Sequence, residues 1–555
     1  MKKCFPCLLT LALAAALMVP SAGAAYTDVP AADTLAVEVE KATEYGLMNG
    51  YGNGVFGFKD SMTRAQFVTV LGRMLGWFEG APGDHVTPEM QVDPPSRNTP
   101  NSVSDVYWAS INAAAEWDVV DLNQPFRPND AITRGEMAEM LVRALGLKSA
   151  AAASEKENSL PFTDVTSRKG YISVAYDVGM TKGTSATTFA PNATATRAQA
   201  AAMLLRIYEK LQADSFSHAY YAISSYSQME LGTQADAVTL GWSRMTWDGS
   251  SALLATTSKS SYEYYVPNGY QDVVAALEEK GVKTHLGVYM DTSNAIADML
   301  ASPEGCSQAV SQIVNELTVD YKALGHNPYS GVTIDFEGLR AGQKDAFTAF
   351  LKDLSAALKP LGKTLYVCVS PTLTSGPYFD GYDYHAIGEA ADLVILMAYD
   401  YDARNLQDFV GTAYYKTAAA APIDQVYMSL RSVTDPETGV ADPGKVLMGF
   451  SCKNVAWKID EAGNLLSGTP VYPSNDTVAK RLAQEDTIHG WSDTYGMPYA
   501  IYTADGDTYF LWYEDARSTA LKQDTAKLFG LSGVSLWRLG TIPDYDSWNW
   551  SELLK

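Results

Sequence analysis

The chain has 555 residues, 47% of them hydrophobic and 11% aromatic, with a formal net charge of −23. At roughly 150 residues per domain this is too long for a single core. The charge excludes a nucleic-acid binder or a protein held electrostatically to an anionic surface.

Residues 1–24 have the pattern of a secretory signal peptide. Lys2 and Lys3 supply the positive start, Leu8 to Val19 the apolar run, and Ala22-Gly23-Ala24 a small-residue cleavage site. The apolar run is too short to span a bilayer, and no later segment reaches 18 uninterrupted apolar residues. Beyond this leader the only cysteines are Cys306, Cys368 and Cys452, an odd number that does not form a disulfide framework. An exported protein is expected.

Before Ala213 the chain repeats three times. Thr27-Asp28-Val29, Ser104-Asp105-Val106 and Thr163-Asp164-Val165 open the units. A helix-like stretch and a turn follow, then a Phe with Thr-Arg seven residues on: Phe56 to Thr63-Arg64, Phe126 to Thr133-Arg134, Phe189 to Thr196-Arg197. An apolar helix comes next, with the Thr where an N-cap is wanted. The divisions expected are residues 25–79, a linker at 80–102, 103–149 and 159–212, with Ala150 to Asn158 as a second linker. One reading is a helical repeat in which each Arg pairs with a neighbouring carboxylate. The recurrent Thr-Arg-Ala-Gln and Thr-Arg-Gly-Glu, however, resemble the S-layer homology module, which anchors exported proteins to a wall-linked polysaccharide. The resemblance implies that Arg64, Arg134 and Arg197 line grooves that grip acidic groups of that polymer, as the planar guanidinium suits bidentate anion binding. The second copy departs from the pattern, with Asp118-Val-Val-Asp-Leu-Asn123 in place of a Gly-rich turn.

Residues 213–555 alternate β-rich apolar runs with helical stretches, the pattern of parallel α/β architecture. Eight strands are expected, at His218–Ser224, Ala237–Gly241, Thr284–Tyr289, Gly331–Glu337, Thr364–Ser370, Leu393–Tyr399, Val446–Ser451 and Gly533–Leu539. Helices are expected at Tyr270–Lys280, Ala309–Leu324, Lys344–Lys359 and Ala516–Leu528. This predicts a (β/α)8 TIM barrel with an aromatic-rich insertion, around residues 455–512, between the seventh and eighth strands.

In Gly331-Val-Thr-Ile-Asp-Phe-Glu337 the strand period of two turns Val332, Ile334 and Phe336 one way, and Asp335 and Glu337 the other. The two acids lie about 6.6 Å apart at their Cα atoms. Two acids on one face of a buried strand are costly unless they are paired or do chemistry. The segment resembles the fourth-strand signature of glycoside hydrolase family 18. Leu396-Met-Ala-Tyr-Asp400 is similar to its sixth-strand element and Gly533-Val-Ser-Leu-Trp-Arg-Leu-Gly540 to its eighth. Trp512-Tyr-Glu-Asp-Ala-Arg-Ser518 resembles a segment of the spore-lytic, peptidoglycan-directed branch.

The resemblance implies retaining hydrolysis of β-linked N-acetylglucosaminides, with the substrate's own acetamido oxygen as nucleophile. Glu337 is then the acid/base, Asp335 holds the acetamido group and Tyr399 donates to its oxygen. Asp400, Met397 and Trp537 shape the sugar subsite. Thr333, counted with them as substrate-binding, stands where the family has Asp or Asn, able to hydrogen-bond Asp335 but not to relay a charge. Glu514, Asp515 and Arg517 are expected to form a structural network. The six histidines show no metal-ligand spacing, so neither metal nor cofactor is expected. The expected partners are an N-acetylglucosamine-containing glycan, peptidoglycan before chitin, and a wall polysaccharide, with no nucleic acid. Two other classes stay open, a catalytically silent glycan-binding module and a structural envelope protein.

Overall fold

The computed structural model describes residues 26–76, 105–121, 125–157, 160–259, 263–371 and 380–544. The proposed signal peptide and the 80–102 linker lie outside them. The chain divides into two compact units at Ala213/Asp214.

The first unit holds seven helices among the described residues: α1 Ala36–Glu44, α2 Arg64–Met74, α3 Asp105–Glu116, α4 Arg134–Ala144, α5 Lys148–Glu157, α6 Lys169–Asp177 and α7 Arg197–Leu211. The Thr-Arg positions start α2, α4 and α7. Thr63, Thr133 and Thr196 each accept the N–H of the third helical residue, Gln66, Glu136 and Gln199, whose side chain returns the bond to the Thr backbone. These capping boxes satisfy two otherwise orphaned donors at each helix start. The repeats close in a ring: Arg64 N donates to Asp130 O, Arg134 N to Ala193 O and Arg197 N to Asp60 O.

The segment expected as a linker from Ala150 is helical. Its Ala-rich sequence has high helix propensity, and Ala150 and Ala151 are buried. Gly170 of α6 admits this packing, because a Cβ there would lie 1.9 Å from Ala151 O. In the second repeat Asp118 adopts the left-handed conformation (φ 55°) that Gly46 and Gly179 hold in the other two. Its carboxylate, bound by Arg143 at 3.1 Å and Lys148 at 2.5 Å, offsets the strain.

In the second unit eight parallel strands close on themselves: β1 Phe216–Tyr221, β2 Ala237–Trp247, β4 Lys283–Met290, β5 Gly331–Phe336, β6 Thr364–Val369, β7 Leu393–Met397, β8 Val446–Ser451 and β13 Gly533–Trp537. The β1–β13 and β1–β2 pairings make the closure. Every expected strand forms. β2 runs six residues past its expected end and pairs antiparallel with β3 Ala252–Ala255. The expected Ala309–Leu324 helix begins earlier and spans Pro303–Glu316, where Ser302 caps it and Pro303 occupies the first turn. The insertion is a four-stranded antiparallel sheet of β9 Val455–Ile459, β10 Ile488–Ser492, β11 Met497–Ala504 and β12 Asp507–Trp512. Trp457, Phe510 and Trp512 build its core with Tyr415.

Closure needs glycine at the start of β13, where a Cβ on Gly533 would lie 1.8 Å from Phe216 O across the β1–β13 seam. Gly533→Ala is expected to cost about 1–3 kcal/mol, read as a lower urea midpoint with an unchanged denaturant slope.

Candidate active site

Inward-facing side chains form two layers near the carboxyl ends of the strands. The lower layer is polar and neutral. Ser535 and Thr239 flank His218 at 2.7 and 2.8 Å. Thr239 bonds Thr333 at 2.7 Å, Thr333 bonds His285 at 3.3 Å, and His285 reaches Thr364 at 2.9 Å. Burial pushes both imidazoles down to about 3, so they are uncharged. Thr333 is fully buried in this seam. Contrary to the sequence expectation, its hydroxyl is engaged by Thr239 and His285 and faces no substrate space. Lying two residues before Asp335 on the same face, it sits one layer deeper in the barrel.

The upper layer carries the acids. Asp335 is buried at the end of β5, and its Oδ1 has no hydrogen-bond partner. Tyr220 of β1 shares a 2.6 Å hydrogen bond with Cys368 of β6, whose thiol in turn bonds Asp335. Burial holds Asp335 well above the usual carboxylate range. The Glu337 charge adds to this and the Cys368 bond opposes it. Glu337 lies just past β5, its backbone N–H bonded to Met290 O at 2.8 Å. It too is raised, first by burial and then by Asp291 and Asp400, with Arg404 opposing. The Tyr399 phenol is pushed up by burial and then by Asp335, so it stays a proton donor. Gly449 of β8 admits its ring: a Cβ there would meet Tyr399 at 3.1 Å and Leu396 O at 2.7 Å.

A cleft opens over this layer, lined among others by Tyr220, Tyr264, Tyr289, Asp335 and Trp537. Trp537 packs edge-on to Tyr220, with centroids 5.1 Å apart. Met397 joins Trp537 against the same cluster around Cys368 and Ile395. Asp400 is exposed, in left-handed backbone (φ 62°), and ion-paired with Lys453 at 3.1 Å. Lys453 also holds the buried Asp402 at 2.7 Å and lies over Tyr472. On another side Tyr264 and Tyr289 stack 4.5 Å apart, and Arg244 pairs with Asp291 at 2.5 Å.

Sequence reasoning did not find Cys368, Tyr220, Lys453 or the Tyr264–Tyr289 pair. Cys368 occupies an inward position on its strand, a signal that alternation carries. The others take meaning only from barrel closure. Glu514 and Asp515 are structural in this arrangement: Glu514 pairs with Lys522 at 2.5 Å and Asp515 caps the helix Ala516–Phe529. Arg517 lies 3.7 Å from the Trp491 ring centroid. Among the described residues no cluster of three or more His, Cys, Asp or Glu side chains could hold a metal ion, and no helix is long and apolar enough to cross a membrane.

A closed parallel barrel with an Asp-x-Glu pair at the carboxyl end of its fourth strand defines the class of a barrel glycoside hydrolase. Residues 193–541 match the model of glycosyl hydrolases family 18, and the chain belongs to that family. Residues 25–68, 103–138 and 161–201 match the S-layer homology domain, which marks the first unit as a cell-surface anchoring module.

YdhD of Bacillus subtilis (strain 168), assigned as a sporulation-specific glycosylase, is 27% identical over 51% of this chain and 66% of its own length. The cortical fragment-lytic enzyme of the same organism is 25% identical over 41% of this chain and 50% of its own. The chain thus spans half to about two thirds of these relatives. The C-terminal domain of a protein assigned as a chitinase from Desulfitobacterium hafniense shares the fold, at TM-score 0.50 and 22% identity, over 61% of this chain and 98% of that one.

Proposed function

We propose that the protein is a cell-surface-anchored glycosidase that hydrolyses β-linked N-acetylglucosaminides, with peptidoglycan as substrate in preference to chitin. The observation that carries this is the Asp335 carboxyl, which is buried in the cleft with Oδ1 unpartnered. A buried acceptor without a donor is costly, and the N–H of a 2-acetamido group would satisfy it.

Bound that way, the substrate's acetamido oxygen attacks the anomeric carbon with retention. Tyr399 donates to that oxygen. Glu337, which holds its proton more firmly than an ordinary glutamate because it is buried, gives that proton to the leaving oxygen and then draws one from the incoming water. Asp335 accepts the acetamido N–H of the cyclic intermediate through Oδ1 and so holds the group in place. Trp537 offers the sugar an apolar face. Asp400 and Met397 border the subsite. The preference for peptidoglycan is supported by the anchoring repeats, which would hold the enzyme beside it, and by the name of the cortical fragment-lytic relative.

The test is to incubate the protein with peptidoglycan and, separately, with chitin oligosaccharides, and to identify new reducing ends by mass spectrometry. Reducing N-acetylglucosamine ends from peptidoglycan are expected. Cleavage of chitin alone would overturn the substrate, and binding without cleavage of either would overturn catalysis.

The raised Glu337 also sets a pH dependence. The proton donor is intact below its folded pKa, which lies above the ordinary glutamate value, and is lost as pH rises through it. The alkaline limb of kcat/KM should therefore lie above pH 4.5. Asp291→Asn removes a charge that raises Glu337 and should move that limb to lower pH. A pH–rate series on the two proteins checks this, and a limb that stays in place would be the contrary result.

A further inference from the structure

β5 fixes where the Asp335 carboxyl lies but not how it is turned. The last torsion of an aspartate is broad, with no sharp staggered wells to hold the two oxygens in place. A hydrogen bond from a neighbour has to set it. Thr333, the polar residue below on the same face, is committed to Thr239 and His285. On the β4 side Asp335 pairs with Tyr289, whose ring is stacked on Tyr264.

The β6 side supplies the contact. β5 and β6 pair from Gly331 with Thr364 to Ile334 with Val367, and one further step of that register sets Cys368 beside Asp335. Beyond Cys368 the wall is apolar, since Cys368 pairs with Ile395 and Ile395 with Leu447. The Cys368 thiol is buried and bonds Asp335, and Tyr220 Oη lies 2.6 Å from its sulfur. A thiol has one proton. With that proton given to Asp335, the sulfur can only accept from Tyr220. The chain therefore runs from phenol O–H to sulfur and from S–H to carboxyl. Burial pushes the phenol and the thiol well up, so both keep their protons. Among the described residues the thiol is the one side chain that bonds the Asp335 carboxyl, and Oδ1 keeps no partner.

We propose that Cys368 is a positioning residue, whose thiol, itself oriented by Tyr220, turns the Asp335 carboxyl so that Oδ1 faces the cleft and receives the acetamido N–H of the substrate. A neutral thiol does this without placing another charge beside Glu337. Tyr220 also packs edge-on against Trp537, so one residue aligns both the carboxyl and the apolar face of the subsite. The assignment rests on the glycosidase reading of the site.

The test compares kcat and KM of full-chain variants on peptidoglycan fragments or chitin oligosaccharides, whichever the wild type cleaves. Cys368→Ala should lower kcat by about tenfold with KM within about twofold, because a misturned carboxyl spoils the reacting geometry more than the hold on the glycan. Cys368→Ser keeps a proton donor of similar size and should recover most of that loss. Tyr220→Phe keeps the ring against Trp537 and should lower kcat by about threefold on its own. Added to Cys368→Ala it should lower kcat no further, because it acts through the sulfur. The assignment is overturned, with hydrolysis left standing, by any of three results. These are a Cys368→Ala kcat within about twofold of the wild type, a Cys368→Ser no better than Cys368→Ala, or two changes whose effects multiply. Should Cys368→Ala fail to fold, an unchanged kcat in Tyr220→Phe overturns it alone. If the wild type cleaves neither glycan, the glycosidase reading and this assignment fall together.

Discussion

Glu337→Gln should lower kcat by about three orders of magnitude while leaving glycan binding intact, since a positioned general acid contributes about 10²–10⁴-fold. Glutamine fills the same volume and keeps a polar group at the cleft, but it has no proton to give the leaving oxygen. Because Glu337 is only half-buried and its backbone N–H, not its carboxyl, is tied to Met290, the substitution leaves β5 undisturbed. The measurement is release of reducing ends under saturating glycan, with binding followed separately by pull-down on the insoluble polymer. Activity within tenfold of the wild type would remove Glu337 from the acid/base role. The proposed hydrolysis would then need another donor in the cleft, and Asp335 is the remaining raised carboxyl.

Lys522→Met is expected to be the most destabilising single change in the barrel, by about 3–5 kcal/mol. Lys522 and Glu514 are each 2% exposed and lie 2.5 Å apart. Removing the ammonium strands a charge in the interior beside the buried Cys452. Burial already raises Glu514, and Lys522 is the first influence that opposes it. Without Lys522 the Glu514 pKa rises further, so the folded variant holds a proton there over a wider pH range than the unfolded chain does. Its deficit should therefore be largest at neutral and alkaline pH and shrink on acidification. Pairing the change with Glu514→Gln should recover most of the loss. Urea unfolding at several pH values decides this, and a loss under 1 kcal/mol at neutral pH would contradict the account.

Chain order and local period made much of this protein legible before any fold was known. Strand alternation in Gly331 to Glu337 placed Asp335 and Glu337 on one face, because a period of two depends on the backbone alone. The fixed Phe-to-Arg interval revealed three repeats, and the Thr before each Arg foretold a helix start, because capping is settled within four residues. All eight barrel strands follow from the same short-range reasoning.

What closure decided is of another kind. The bond between Tyr220 and Cys368 joins residues 148 apart in sequence. The Arg197–Phe56 contact joins residues 141 apart. No local pattern contains such pairs. Thr333 shows the difference most directly. Its face was readable from alternation, yet its partners were not, since Thr239 and His285 arrive on other strands and claim its hydroxyl before Asp335 can. The sequence by itself determined which side chains share a face and where each element starts. The tertiary structure decided which of them meet, which of them meet water, and so which carboxyl keeps its proton, because desolvation and Coulomb forces act through space and take no account of separation along the chain.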